Sequence, residues 1–257
     1  MTTLGVSAAR SREGAALPTL AVLGAGNCND IDLATLAPLY REIHLVDLDE
    51  DALAAVHARQ PANVAEKLRL RAPVDLSGAF ARLAAFARKP ATNAELALLP
   101  RTSLEQVRVA LPETFDVVLS TCFLSQLMQS AFAALGEKHP QLRLIASALA
   151  LAHLRTVVAL ARSGGSAHIV TDTVSDETYP LVELWGQQPP AALLDHLEKT
   201  DNVFSGTGPS FVRRILATDR EVAQHLAGAP RLTEPWLWRF GAARTYLVYA
   251  CSIERHP

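Results

Sequence analysis

The chain has 257 residues, 49% of them hydrophobic and 19% charged. That is enough apolar material for one sizeable core, so a single α/β domain over 1–257 is expected and a disordered or fibrous chain is excluded. A formal net charge of −2 supplies no field to gather a nucleic-acid backbone or an anionic membrane, which points to a small-molecule substrate.

The elements follow in chain order. Residues 1–17 lack the apolar core of a secretory signal and read as a loosely docked arm. An apolar strand over 20–23 runs into Gly24 and Gly26, a helix follows, and a second strand over 43–46 ends on Asp47. Small residues let the backbone approach a ligand, and a carboxylate about 20 residues further on can accept hydrogen bonds from two ribose hydroxyls, so this is the layout of a nucleotide-cofactor cradle. Asp49 is the expected N-cap of a helix from Glu50. A short strand over 68–74 stops at Asp75, and Pro73 makes it an edge strand. Residues 77–112 are helical patterns broken by Pro90 and Pro100, and 115–120 is a buried parallel strand.

Pro140 opens a long helix to Arg162, closed by Gly164 and Gly165. Its least polar stretch, 144–154, is about 11 residues and too short to cross a bilayer. The next strand, 167–170, ends at Thr171-Asp172-Thr173, and helical segments are expected at 190–198 and 209–226. The apolar runs 236–240 and 245–253, joined at Gly241-Ala242-Ala243, are too close for a helical crossover and form an antiparallel hairpin. Cys28, Cys122 and Cys251 stand far apart without a CxxC pair, so neither a zinc site nor a disulfide framework is expected, and a reducing cytoplasm fits.

In order and spacing these segments resemble the class I S-adenosylmethionine-dependent methyltransferases over residues 18–255. Val22-Leu23-Gly24-Ala25-Gly26 matches the glycine motif, and the stretch from Val46 and Asp47 to Leu53 the acidic end of the second strand. Val74-Asp75-Leu76 matches the adenine-side acid, 115–120 the fourth strand and 161–165 the turn into the fifth. The resemblance implies a Rossmann-like doubly wound sheet of seven strands, mostly parallel, with a C-terminal antiparallel hairpin. This chain has Cys28 where the family has its third glycine, and Asn29 where a dinucleotide motif has one. The glycine turn alone therefore leaves S-adenosyl-L-methionine and a nicotinamide cofactor open, and Asp75 with the hairpin favours the former.

The resemblance implies that Gly24 and Gly26 admit the cofactor, with Asn27, Cys28 and Asn29 along its methionine side. Asp47 would hold the ribose, Asp75 the adenine amine, Leu48 and Leu76 the ring faces, and backbone at Ser120 and Thr121 would border the cofactor. Asp30 and Asp32 are read as structural acids at a helix start, and His44, His153 and Cys122 as packing residues. Methyl transfer needs an in-line nucleophile and can proceed by positioning alone, so a base is optional. Asp172, Asp176 and Tyr179, just beyond the fifth strand, are the catalytic candidates.

Residues 176–210, with Tyr179, Trp185 and Phe204, form either a substrate lid or an accessory core. No Asn-Pro-Pro-Tyr-like tetrapeptide follows the fourth strand, and Leu119-Ser120-Thr121-Cys122 in its place is more similar to small-molecule O- or N-methyltransferases. Two alternatives remain: a non-catalytic S-adenosylmethionine-binding partner subunit, and an NAD(P)-dependent oxidoreductase. A homodimer is compatible with either.

Overall fold

The computed structural model describes residues 1–10, 16–241 and 244–257, so part of the expected N-terminal arm and the hairpin turn at Ala242 and Ala243 lie outside the described residues. Eight strands make one sheet: β1 (Thr19–Leu23), β2 (Glu42–Val46), β3 (Leu68–Arg71), β4 (Phe115–Thr121), β5 (Ala161–Ser175), β6 (Arg231–Leu232), β7 (Trp236–Phe240) and β8 (Arg244–Glu254). Their order is β3-β2-β1-β4-β5-β8-β6, with β7 also paired on β8. The first five are parallel neighbours. β8 runs antiparallel to β5 and to β7, where a dinucleotide fold would add a parallel sixth strand.

Successive residues of the central strands enter opposite cores. Leu20 and Val22 join one cluster and Ala21 and Leu23 the other; Val117 and Leu119 likewise alternate with Val118. Both faces are covered, which is why these strands read as unbroken apolar runs rather than alternating ones.

The N-terminal arm, expected to be loosely docked, is over Thr2–Arg10 a helix with Ala8 and Ala9 buried in the core and the Gly5 carbonyl accepting from the Tyr40 hydroxyl at 2.7 Å. The structure corrects the sequence reading at five further places. The sheet has eight strands rather than seven, because the two-residue β6 pairs with Cys251 and Ser252 of β8 and is too short to leave a periodic signal. β3 keeps its edge position but ends at Arg71 instead of Val74; Pro73 has no N–H for the ladder. Pro100 does not end a helix: Asn93–Ala110 runs through it, started by a capping box between Thr92 and Glu95. Pro100 is buried with Leu99, Ser103 and Val107 on the face that packs against the Leu142–Leu160 helix, and that burial offsets a cost of about 3 kcal/mol for an interior proline.

The long helix stops at Leu160 and β5 begins at once. Residues 162–165 form a bulge opposite Asp116, since Phe115 pairs with Ala161 and Val117 already with Ser166. Gly164 and Gly165 thus serve the bulge rather than a helix cap; a Cβ on Gly165 would lie 2.8 Å from the Arg162 carbonyl oxygen. Finally, Leu142–Leu160 is 19 residues, long and apolar enough by length and composition to cross a membrane, not the short stretch expected. Ile145, Leu149, Leu154 and Val157 bury it in the core.

Candidate functional site

The site begins where β1 turns. Gly24 and Gly26 have φ of 72° and 47°, conformations that glycine adopts without the penalty a Cβ imposes. The Val46 carbonyl accepts from Gly24 and Ala25 N–H at 3.0 and 3.2 Å. From the other side Thr121 Oγ1 reaches the carbonyls of Leu23 (3.1 Å) and Gly24 (2.7 Å). A Cβ on Gly24 would press on the Phe123 ring at 3.1 Å, whereas one on Gly26 would meet nothing within 4 Å. Gly26 therefore leaves open space at the cavity wall.

Cys28 has φ of 49°. Its backbone keeps the left-handed shape although it carries a side chain, at a cost of roughly 1–2 kcal/mol relative to glycine. Burial and then the Asp47 charge push its thiol up to about 12, so it stays protonated near neutral pH.

Asp47 joins the turn to β2. Its Oδ2 accepts from Gly26 N–H at 2.7 Å and its Oδ1 from Asp49 N–H at 3.0 Å. A carboxylate offers about four acceptor positions, so the half-buried group retains capacity for a ligand. It borders a cavity of about 380 Å³ lined also by Leu48, Leu76, Phe80, Phe123 and Ser130. Asp49 caps the Glu50–Ala58 helix through Ala52 N–H, as its position foretold.

Asp75 lines the same cavity in a different state. Its Oδ1 takes the Ser77 N–H (2.9 Å) and hydroxyl (2.5 Å), and its Oδ2 takes Ala79 and Phe80 N–H, both at 3.1 Å. Four donors fill its capacity. The adenine-amine role expected of Asp75 finds no free acceptor position; the residue shapes the wall and starts the Phe80–Phe86 helix instead.

A second cavity, of about 180 Å³, is lined by Met1, by residues 24–31 and by Thr121, Cys122, Gln126, Trp238 and Phe240. Gln126 lines both cavities, so they meet there as one groove at the C-terminal ends of the parallel strands, where open α/β sheets bind ligands. Trp238 Nε1 donates to Asp30 Oδ1 at 2.7 Å and ties β7 to the glycine loop. Asp30, read as merely structural, thus faces the groove.

Gly24, Gly26, Asn27, Cys28, Asn29 and Thr121 come together in the smaller cavity, and Asp47, Leu48, Asp75 and Leu76 in the larger. Phe123, Gln126, Trp238 and Phe240 escaped the sequence reading. For the helix after β4 a signal existed: Phe123, Gln126, Leu127 and Ser130 recur at helical spacing on one face.

Other expected residues stand elsewhere. Ser120 is buried outside both linings, its Oγ 2.7 Å from His153 Nε2. Desolvation lowers His153 to about 3, and its Nδ1 has no hydrogen-bond partner among the described residues. Asp172 is buried and accepts from Ser125 Oγ at 2.5 Å; burial raises its pKa. Asp176 and Tyr179 line a separate recess with Glu177 and Val182. None of the three catalytic candidates lines the groove. Tyr179 and Trp185 pack against the core that buries Leu181, Leu193 and Leu197, and Phe204 lines a further pocket of about 240 Å³ with Met128 and Phe132.

No protein-family model matches the sequence, and no curated protein does. Solved structures that the chain is similar to include an S-adenosylmethionine-dependent methyltransferase from Methanosarcina mazei, with 10% identity over 93% of this chain and 92% of that one and a TM-score of 0.49. Another is an arsenic(III) S-adenosylmethionine methyltransferase from Chlamydomonas reinhardtii, at 13% identity over 98% and 74% with a TM-score of 0.43. A third is an rRNA methylase from Streptococcus thermophilus, at 13% identity over 99% and 95% with a TM-score of 0.41.

Proposed function

We propose that the chain is an S-adenosylmethionine-dependent methyltransferase whose acceptor is a small molecule methylated on oxygen or nitrogen. The observation that carries this reading is Asp47, held by Gly26 and Asp49 N–H at the mouth of the larger cavity with acceptor capacity to spare. Two ribose hydroxyls suit that capacity, and Leu48 and Leu76 supply apolar surface for the adenine. The backbone of residues 24–28 and the Thr121 side of the smaller cavity suit the methionine end. The cofactor, when bound, supplies a methyl group on a sulfonium.

This chain's residues then orient and desolvate. Phe123 and Leu127 line the groove with apolar surface, and water exclusion strengthens the field of the fixed backbone dipoles. No histidine, lysine or tyrosine side chain lines either cavity among the described residues, and Met1, whose α-ammonium pKa is lowered from its ordinary value by burial, lines the smaller one; transfer by positioning calls for no side-chain base. The reading extends to one catalytic domain working in the cytoplasm. Incubation with methyl-tritiated S-adenosylmethionine and a panel of small amines, phenols and carboxylates tests it. Label moving to at least one acceptor class is the expected result; tight cofactor binding with no transfer to any class would favour a non-catalytic subunit.

A further inference from the structure

The helix that walls the groove has a second face. On Phe123–Leu135, the residues Phe123, Gln126, Leu127 and Ser130 line the larger cavity, while Ser125, Met128, Gln129 and Phe132 recur at i, i+3, i+4 and i+7 on the other side. An apolar face at that spacing is ordinarily covered by neighbouring elements. Here Phe132 is 49% exposed, and with Phe204 and Ser205 the four residues enclose a recess of about 240 Å³. The acidic character of the groove does not continue into it. None of the six lining side chains ionises, and Asp172 lies buried behind Ser125 without entering the lining.

The far wall is fixed by the fold itself. Phe204 N–H donates to the Thr173 carbonyl of β5 at 2.7 Å, and the Phe204 carbonyl accepts from the Thr207 N–H (3.1 Å) and hydroxyl (2.8 Å). Tyr249 of β8 donates its hydroxyl to the Thr207 carbonyl at 2.9 Å, so two strands hold the turn that carries the Phe204 ring. On the helix side Ser125 Oγ is held by Asp172 Oδ1 at 2.5 Å and the Cys122 carbonyl at 3.0 Å. A hydroxyl whose proton is engaged keeps its acceptor lone pairs, and Gln129 and Ser205 add an amide and a second hydroxyl. Fixed apolar walls with a few polar atoms are the make-up of a small-molecule site. The volume sets the size of the ligand: an apolar cavity of roughly 150 Å³ holds benzene, and drug-sized ligands take roughly 300 Å³ or more.

We infer that this recess is a second ligand site, separate from the groove, for a neutral molecule of one or two aromatic rings bearing a hydroxyl or amide. The rings pack against Met128, Phe132 and Phe204, whose sulfur and π faces suit them. The polar substituent meets Ser125, Gln129 or Ser205. A charged group entering the recess would give up hydration and find no counter-charge in the lining. The site goes beyond the methyltransferase reading and does not rest on it, because its lining shares no residue with either cavity of the groove.

Fluorescence titration of the full chain, saturated with S-adenosylhomocysteine, tests the inference with three probes of similar shape near neutral pH: 2-naphthol, 2-naphthoate and 2-naphthylmethylamine. The naphthol is expected to bind saturably and about tenfold or more tighter than either charged analogue. Phe132→Ala and Phe204→Ala are each expected to weaken it about threefold or more. Val109→Ala, at an apolar side chain 80% exposed on another helix, is expected to leave it unchanged. No saturable binding, a charged probe that binds as well, or a naphthol indifferent to both phenylalanine variants overturns the inference. Displacement by S-adenosylhomocysteine overturns it too, by placing the probe in the groove. A dimer seen by light scattering whose formation excludes the naphthol gives the recess to a second copy of the chain, with the same consequence. Failure of S-adenosylhomocysteine itself to bind counts against the methyltransferase reading alone, and the same titration on the free chain then decides the inference.

Discussion

The two cavities of the groove are built by different means. The larger is walled by strand ends whose carboxylates are already engaged: Asp47 by Gly26 and Asp49, Asp75 by Ser77, Ala79 and Phe80. The smaller is walled by backbone that glycine leaves bare, and by a tryptophan from a hairpin tied on through one side-chain bond to Asp30. The first is therefore preorganised by local sequence, and the second by contact between distant segments. In the proposed reading the preorganised acceptors serve the ribose, and the wall borrowed from the C-terminal hairpin encloses the methionine end.

Asp47→Ala should break the larger cavity most severely. It removes the ribose acceptor and strands two N–H groups, so S-adenosylhomocysteine affinity is expected to fall roughly a hundredfold, on the basis of about 1.5–3 kcal/mol per hydrogen bond to a charged group. Calorimetry reads this directly, and unchanged affinity would refute the ribose assignment.

A pair of glycine substitutions sharpens the contrast between ligand wall and scaffold. Gly78 has φ of 57° and a Cβ there would collide with the Ser103 backbone. Gly78→Ala should lower the melting temperature by roughly 5 °C or more while the folded protein still binds. Gly26→Ala faces open space, so its left-handed backbone costs about 1–2 kcal/mol and its larger effect should be on binding, roughly tenfold as the methyl enters the cavity. Equal effects of both on binding would erase the distinction.

β4 backs both cavities, and behind it Ser120 contacts His153. His153 is buried and lowered from 6.5 to about 3 by desolvation. Between those values the unfolded chain takes up a proton that the folded chain refuses, so this residue's linkage removes stability as pH falls from 6.5 towards 3 and none above that window. Thermal melts of wild type and His153→Gln should converge in shape above pH 7, with the variant losing less stability between pH 6 and 4. Parallel losses would show that His153 titrates normally.

The smallest effect belongs to Cys28. Cys28→Gly relieves a φ of 49° and should raise the melting temperature by about 2–4 °C, the shift expected for ~1 kcal/mol in a chain of this size. A drop would mean that the thiol's packing outweighs its backbone strain.

The legible parts were those whose signal is local. Gly24, Gly26, Asp47 and the Asp49 cap lie within one strand-turn-strand unit, where residue type and spacing dictate conformation. The antiparallel C-terminal pairing followed from a connection too short for a crossover. Asp75 misled because its carboxylate is consumed by N–H groups only two to five residues ahead, a folding of the loop that composition does not announce. Pro100 misled because burial outweighed a backbone penalty. Trp238 and Asp30 are 208 residues apart, and Ser120 and His153 meet only across packed elements, so nothing in either neighbourhood marks the partner. Asp172 lay at a plausible strand end, but Ser125 and Cys122, at the start of the helix that follows β4, close over it.

A crystal structure of the chain soaked with S-adenosylhomocysteine tests the central claim most directly. The expected result is one ligand spanning both cavities, with ribose hydroxyls within about 3.2 Å of the Asp47 carboxylate, adenine between Leu48 and Leu76, and the amino-acid end along residues 24–28. A ligand seated elsewhere, or a ribose turned away from Asp47, would contradict it.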